Sequence, residues 1–299
     1  MSRQLTQTQL IERSINKKFR KELWTPFMKA IRDYRLISEG DRIAVCISGG
    51  KDSMLMAKLF QELLRHSEVP FEAVYLVMNP GYSPEVLERI CSNSRLLGIP
   101  IRMFDTEIFD ITVTLKENPC YMCARMRRGN LYHQAQELGC NKIALGHHFN
   151  DVIETTVMGM FYGAQIQAML PRLRSQNFPG MELIRPLYCI HEEDILAWCR
   201  YNHLSFIRCA CRMTENIAQA GDGVGDSKRQ EIKQLISRLR LTHPDIEKCI
   251  FNSIHSVCLD TLVGWKTGGE EHSFLERFET PPSSGGDSFS PAVPHSPVN

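Results

Sequence analysis

The sequence has almost no net charge: 35 Lys and Arg stand against 34 Asp and Glu over 299 residues. A formal charge of +1 excludes a histone-like polycation. Long apolar runs are also missing. The strongest, such as residues 74–78, are strand-sized and fall well short of the ~18 residues that span a membrane, so no membrane partner is expected. No apolar leader starts at Met1-Ser2-Arg3-Gln4, which makes the expected location cytoplasmic. Eleven cysteines are too sparse for a disulfide scaffold; in an unsecreted chain they fit core thiols plus a metal or redox site. There is no internal repeat. The remaining composition, 43% apolar and 23% charged, is that of a globular chain with one large or two modest domains.

The neutral total hides an uneven distribution. Residues 1–42 hold ten Lys/Arg against five Asp/Glu. Arg13, Lys17, Lys18, Arg20, Lys21 and Lys29 alternate with Leu10, Ile11, Ile15, Phe19, Leu23 and Phe27. This spacing predicts one or two amphipathic basic helices, whose charged face is either solvated or meets a polyanion. From residue 42 the pattern predicts strands over 42–48, 71–78, 101–104, 142–145 and 181–190. Helices are predicted over 52–66, 83–97, 124–138, 152–162 and 192–203. That alternation implies βαβ units, hence an α/β fold with a parallel sheet covered on both faces. Gly221, Gly223 and Gly225 mark a flexible connector over 216–227, followed by helices over 228–241 and 245–257. Residues 281–299, with five Pro and five Ser, have the composition of a disordered tail. The expected division is a basic helical region (1–41), an α/β domain (42–215), C-terminal helices (216–265) and a disordered tail (266–299).

Between the first strand and first helix stands Ser48-Gly49-Gly50-Lys51-Asp52-Ser53. Two glycines let the backbone turn tightly around an anion, the helix start offers unpaired N–H groups, and Lys51 adds a full charge. Such a nest suits a pyrophosphate. Walker A spacing is absent, which disfavours ordinary γ-phosphate hydrolysis. The hexapeptide resembles the PP-loop ATPases of the adenine nucleotide α-hydrolase-like, Rossmann-like superfamily. That resemblance implies cleavage of ATP between its α and β phosphates, with a substrate oxygen becoming adenylated.

Cys120-Tyr121-Met122-Cys123 precedes a basic helix start that includes Arg125, Arg127 and Arg128. Two thiolates at this spacing either bind one metal or cluster together or serve as core thiols. Cys209-Ala210-Cys211 offers further soft ligands downstream. Three protein thiolates on a [4Fe–4S] cluster leave one iron open for an exogenous sulfide, whereas four close it. Gly146-His147-His148-Phe149-Asn150-Asp151 lies at a strand end, the ligand-binding edge of a parallel sheet. Its His pair is either structural or catalytic, and Asp151 suits Mg²⁺ or nucleotide orientation.

Together these residues resemble the TtcA family of tRNA 2-thiocytidine biosynthesis proteins, from about Leu10 to Ile254. The resemblance includes Glu39-Gly40-Asp41-Arg42, Ser48–Ser53, the Cys pair with its arginines, Lys142–His148, Met160-Phe161-Tyr162-Gly163 and Ile184-Arg185-Pro186-Leu187. A lysidine synthetase shares the phosphate loop but not this cysteine pair, and a thiouridine synthetase adds zinc-binding Cys pairs that do not flank this sequence. A third alternative is a non-enzymatic iron–sulfur sensor of nucleotide or RNA. There are two departures from the family pattern. Asn150 replaces the first Asp of Gly-His-His-x-Asp-Asp, and the late cysteines are Cys-x-Cys rather than Cys-x2-Cys. The register to Asn216 aligns Cys211 with the family ligand and leaves Cys209 an extra neighbour or an alternative ligand.

The resemblance implies an ATP-dependent tRNA sulfurtransferase that 2-thiolates an anticodon-loop cytidine (tRNA position 32) through an adenylated base and iron–sulfur-bound sulfide. It implies ATP on Ser48, Gly49, Gly50, Lys51, Asp52, Ser53, Gly146 and His147, with Lys51, Asp52 and Asp151 catalytic. Cys120, Cys123 and Cys211 are the implied cluster ligands, and Arg125, Arg127 and Arg128 the implied tRNA contacts. ATP, Mg²⁺ and a [4Fe–4S] cluster are the implied cofactors. tRNA and a cysteine desulfurase as sulfur donor are the implied partners, with a homodimer left open.

Overall fold

Thr6 starts the first helix of the computed structural model, which describes residues 5–113, 119–207 and 224–279. Its hydroxyl accepts the Gln9 N–H while the Gln9 side chain accepts the Thr6 N–H, a reciprocal cap. Helix α1 (Gln7–Asn16) leads through one π-helical turn (Arg20–Trp24) into α2 (Thr25–Asp33). Ile11, Ile15, Leu23 and Phe27 are buried, so the apolar stripe of the basic segment faces the core, while Leu10 stays half exposed.

Strands β1 (Arg42–Ile47), β2 (Glu72–Asn79), β3 (Ile101–Asp105), β4 (Lys142–Ala144), β5 (Arg172–Arg174) and β6 (Glu182–Ile184) form one sheet in the order β3-β2-β1-β4-β6-β5. Its pairs are parallel except the edge pair of β5 with β6. Val45 of β1 lies opposite Tyr75 on one side and Ala144 on the other. The connections carry α3 (Lys51–His66), α4 (Pro84–Leu97), α5 (Ile108–Val113), α6 (Pro119–Glu137) and α7 (Phe149–Gly163). Helix α8 (Glu192–Tyr201) follows the sheet, then α9 (Val224–Thr242) and α10 (Ile246–Ser253). One core layer packs Ala44, Cys46, Leu76, Ile143 and Leu183 of the strands against Tyr132 and Ala135 of α6. The chain moves outward through β2 and β3, then returns to place β4 on the other flank of β1. That reversal opens a crevice at the carboxyl ends of β1 and β4.

Two stretches of the family pattern meet away from this crevice. The Lys142 ammonium is buried and donates to Asp41 Oδ2 at 2.6 Å and to Leu36 O at 3.1 Å. Asp41 also accepts the Ser38 N–H at 2.6 Å and Asn141 Nδ2 at 2.8 Å. A buried ammonium needs such partners, so this cluster locks the entry to β1 against β4.

Several expectations need correction. The strand expected over 181–190 is only Glu182–Ile184, because Pro186 cannot donate to a ladder and the chain turns. The antiparallel edge strand β5 was not expected. Helix α6 begins at Pro119, so the Cys pair lies in its first turn rather than ahead of it. Helix α7 begins at Phe149 and thus contains Asn150 and Asp151. The expected connector over 216–227 is helical from Val224.

Contacts divide the chain into two compact units, Met1–Phe251 and Asn252–Asn299. Within the second, β7 (Gly264–Thr267) and β8 (Glu270–Ser273) form an antiparallel hairpin, followed by α11 (Leu275–Phe278). The tail expected from residue 266 therefore contains regular structure up to 278. The remainder of that expected tail, from 280, lies outside the described residues, as do Cys209 and Cys211.

Candidate functional site

The strand-to-helix turn after β1 is held by its own side chains. Ser53 Oγ accepts the Ser48 N–H at 3.1 Å and donates to Gly50 O at 3.0 Å. Gly49 has φ +86°, and a Cβ there would lie 2.7 Å from Ile90 Cγ1. Only glycine fits both demands. Gly50 then caps α3, so Lys51, Asp52 and Ser53 occupy its first turn.

The second loop, after β4, packs directly on the first. A Cβ on Gly146 would sit 3.1 Å from the Ser53 nitrogen and 3.3 Å from the Asp52 carbonyl carbon, so the backbones touch. His148 caps α7 by accepting the Asp151 N–H on Nδ1 at 3.4 Å, and Asp151 Oδ2 accepts the His148 N–H at 3.0 Å. Asp151 Oδ1 accepts Arg229 Nη1 of α9 at 2.9 Å. Both oxygens of Asp151 are thus engaged. Asp52 differs: its Oδ1 is buried and takes no hydrogen bond among the described residues, with His148 Nε2 at 3.8 Å.

These loops wall a cavity of 420 Å³, in the range of small-molecule sites. Ser48, Asp52, Ser53, Gly146, His147 and Asp151 line it, together with Met78 of β2 and Ala124, Arg127 and Arg128 of α6. Arg125 is exposed and does not line it. Cys123 is buried one residue before Ala124. Positions 120 and 123 are three apart in the first turn of α6, the spacing of one helix face. Ile207, whose N–H donates to Gly49 O at 3.3 Å, is two residues short of Cys209. No group of three potential metal ligands forms among the described residues.

The groups in and around the two loops are electrostatically graded, His147 in the cavity wall and Glu154 and Glu192 outside it. Burial, helped by the Arg185 charge, pushes His147 down to about 4, and its Nδ1 is buried without a hydrogen bond among the described residues. Burial and the charge of Arg128 lower Arg185 to about 10. Burial pushes Glu154 up to about 7, partly offset by Arg229. Burial would also raise Glu192, but the hydrogen bond from Lys233 and the charge of Lys51 hold it at about 2. Sequence reasoning missed Arg229, Lys233 and Glu192, which reach the site from helices beyond the strand-end motifs. Arg185 lay within a quoted motif without a role.

Residues 13–216 match the PP-loop domain family. The chain is 36% identical over 234 residues to a tRNA-cytidine(32) 2-sulfurtransferase of Citrifermentans bemidjiense, covering 77% of this chain and 88% of that one. It is 31% identical over 287 residues to the enzyme so named in Bordetella petrii, covering 94% and 84%. Among solved structures it resembles the U34-tRNA thiolase NcsA from Methanococcus maripaludis with its [4Fe-4S] cluster. The TM-score is 0.62 at 23% identity, over 79% of this chain and 78% of that one. This likeness shows the fold. No described helix is long and apolar enough to cross a membrane.

Proposed function

The chain belongs to the PP-loop family, among the tRNA-cytidine(32) 2-sulfurtransferases, and from that premise we propose that it activates a tRNA cytidine with ATP and replaces the cytosine O2 with sulfur. A single cavity supports this function, because the phosphate loop, the Gly-His-His loop and the helix that begins with the Cys pair all wall it. The β and γ phosphates fit the Ser48–Ser53 turn, where Lys51 and the α3 N-terminus neutralise them. Cytosine O2 attacks the α-phosphorus and pyrophosphate leaves, so positioning and charge neutralisation do most of the work. Sulfur then enters at C2 and AMP departs with the former O2.

Mg²⁺ suits Asp52, whose buried Oδ1 lacks a partner among the described residues, better than Asp151, whose oxygens are both engaged; when bound it supplies charge neutralisation at the phosphates. The soft donors Cys120 and Cys123 fit an iron–sulfur cluster, with Cys211 as third ligand. When bound, such a cluster would supply the sulfur chemistry, with a cysteine desulfurase as the source of sulfur. Arg127 and Arg128 hold tRNA phosphate at the mouth of the cavity.

The test is Lys51→Ala in the anaerobically purified protein. Thiolation should fall by roughly 10²-fold or more, with iron content and circular dichroism unchanged. Full thiolation in that variant, or in iron-free protein, would overturn the assignment; thiolation without iron favours a thiouridine-synthetase type, and tRNA modification without thiolation a lysidine-type ligase.

A further inference from the structure

Lys51 is not an isolated cation. Its Nζ lies 3.1 Å from Asp52 Oδ2 and 3.1 Å from Glu192 Oε1. Glu192 opens α8, and its other oxygen accepts Lys233 Nζ from α9. Its backbone N–H donates to Asn150 Oδ1 at 2.9 Å, which pins the start of α8 to α7. An ammonium has three N–H donors. Two of those on Lys51 are engaged by carboxylates, leaving one that no described residue takes. Glu192 itself remains ionised in a place where burial opposes charge, because cations flank it on both sides.

We propose that Glu192 is a positioning residue, the centre of a Lys233–Glu192–Lys51 relay that fixes the Lys51 ammonium over the phosphate loop while cancelling part of its pull on the triphosphate. This inference rests on the ATP reading above. Simple electrostatics gives the relay a signature. Removing the charge of Glu192 leaves Lys233 without its carboxylate and Lys51 with Asp52 alone, so the loop attracts an anion more strongly. Removing Lys233 leaves Glu192 less neutralised, so the loop attracts an anion less. A salt bridge that merely held the fold together would weaken ATP binding in both cases.

The experiment measures ATP affinity by equilibrium dialysis, and turnover by tRNA thiolation, in the full chain with its cluster. Glu192→Gln should bind ATP about 3- to 10-fold more tightly, the scale of one lost charged hydrogen bond partly offset. Its kcat should fall about tenfold, because Lys51 loses one of two anchors. Lys233→Met should bind ATP about 2- to 5-fold more weakly, the scale of a half-exposed pair. Lys233→Glu should bind more weakly still. The Lys233 side chain is 45% exposed, so its variants keep the test decisive even where Glu192→Gln does not fold. Opposite shifts support the relay, as does a deficit in the Lys233 variants relative to wild type that shrinks with added salt, since a deficit caused by the fold would persist. Weaker binding in Glu192→Gln, or no change in either Lys233 variant, overturns it. A wild-type chain that binds no ATP overturns the ATP reading and the relay together; wild-type binding with both sites shifted the same way overturns the relay alone.

Discussion

Asn150 accepts the Glu192 N–H through its side-chain oxygen at 2.9 Å, joining the start of α7 to the start of α8. The residue that departs from Gly-His-His-x-Asp-Asp therefore serves as a remote cap on the next helix. A carboxylate accepts the same N–H and suits a helix N-terminus. Asn150→Asp should thus keep wild-type stability to within about 0.5 kcal/mol, whereas Asn150→Ala should cost about 1 kcal/mol, the usual loss of a cap. Urea midpoints of the two variants check this. Equal losses would mean that the amide, and not its acceptor oxygen, matters.

Gly146 separates the two loops by nothing but its missing side chain. Gly146→Ala puts a methyl 3.1 Å from the Ser53 nitrogen, and backbone there cannot swing aside as a flexible side chain would. Stability should fall by about 1–3 kcal/mol, and ATP binding should be lost beyond what that destabilisation explains. Unaltered ATP affinity would show that the loops can part without harm.

Glu154 makes stability depend on pH. Burial pushes its carboxyl from 4.5 up to about 7, despite Arg229 at 3.6 Å. A carboxyl raised by folding favours the folded state while protonated, so its contribution is fully present below about pH 4.5. It is lost as pH rises through about 7, a change on the order of 3 kcal/mol. Glu154→Gln should therefore match the wild type at pH 4.5 and melt higher at pH 8. His147, pushed down to about 4, acts in the opposite sense: its contribution is present above 6.5 and lost as pH falls through 4. It does so in both proteins and cancels from the comparison.

The three arginines of α6 should separate into two kinds. Arg127 and Arg128 line the cavity and Arg125 does not. Substituting any of them by Ala should flatten the log–log salt dependence of tRNA binding by ~0.7–0.9 per lost phosphate contact. Only the cavity pair should also raise the KM for ATP. An ATP effect of equal size in Arg125→Ala would dissolve the distinction.

At the late cysteines, Cys211→Ser should lose iron and thiolation together, while Cys209→Ser keeps both. Iron and sulfide analysis after anaerobic purification decides it. The reverse result moves the ligand role to Cys209. Intact clusters in both single variants fit only two thiols that replace each other, which the double variant would expose.

Local chemistry made much of this protein legible in its sequence. The strand/helix alternation from residue 42 foretold a parallel sheet, because buried strands and their covering helices carry different apolar periods. Ser48–Ser53 and Gly146–Asp151 announced themselves because a tight turn against an anion needs glycine, and a helix N-terminus needs a cap, at fixed local spacing. What the sequence could not yield was pairing across distance. Lys51 with Glu192, Glu192 with Lys233 and Asp151 with Arg229 join residues 141, 41 and 78 positions apart. No periodicity encodes such pairs, since each depends on how helices pack around the finished sheet. Lys142 shows the same limit: it stood within a motif beside the site, yet its ammonium is spent on Asp41 at the far end of the strand. Sequence set which groups the chain carries, while tertiary packing decided which of those charges meet the cavity and which neutralise one another, because ion pairing depends on distance in space and not along the chain.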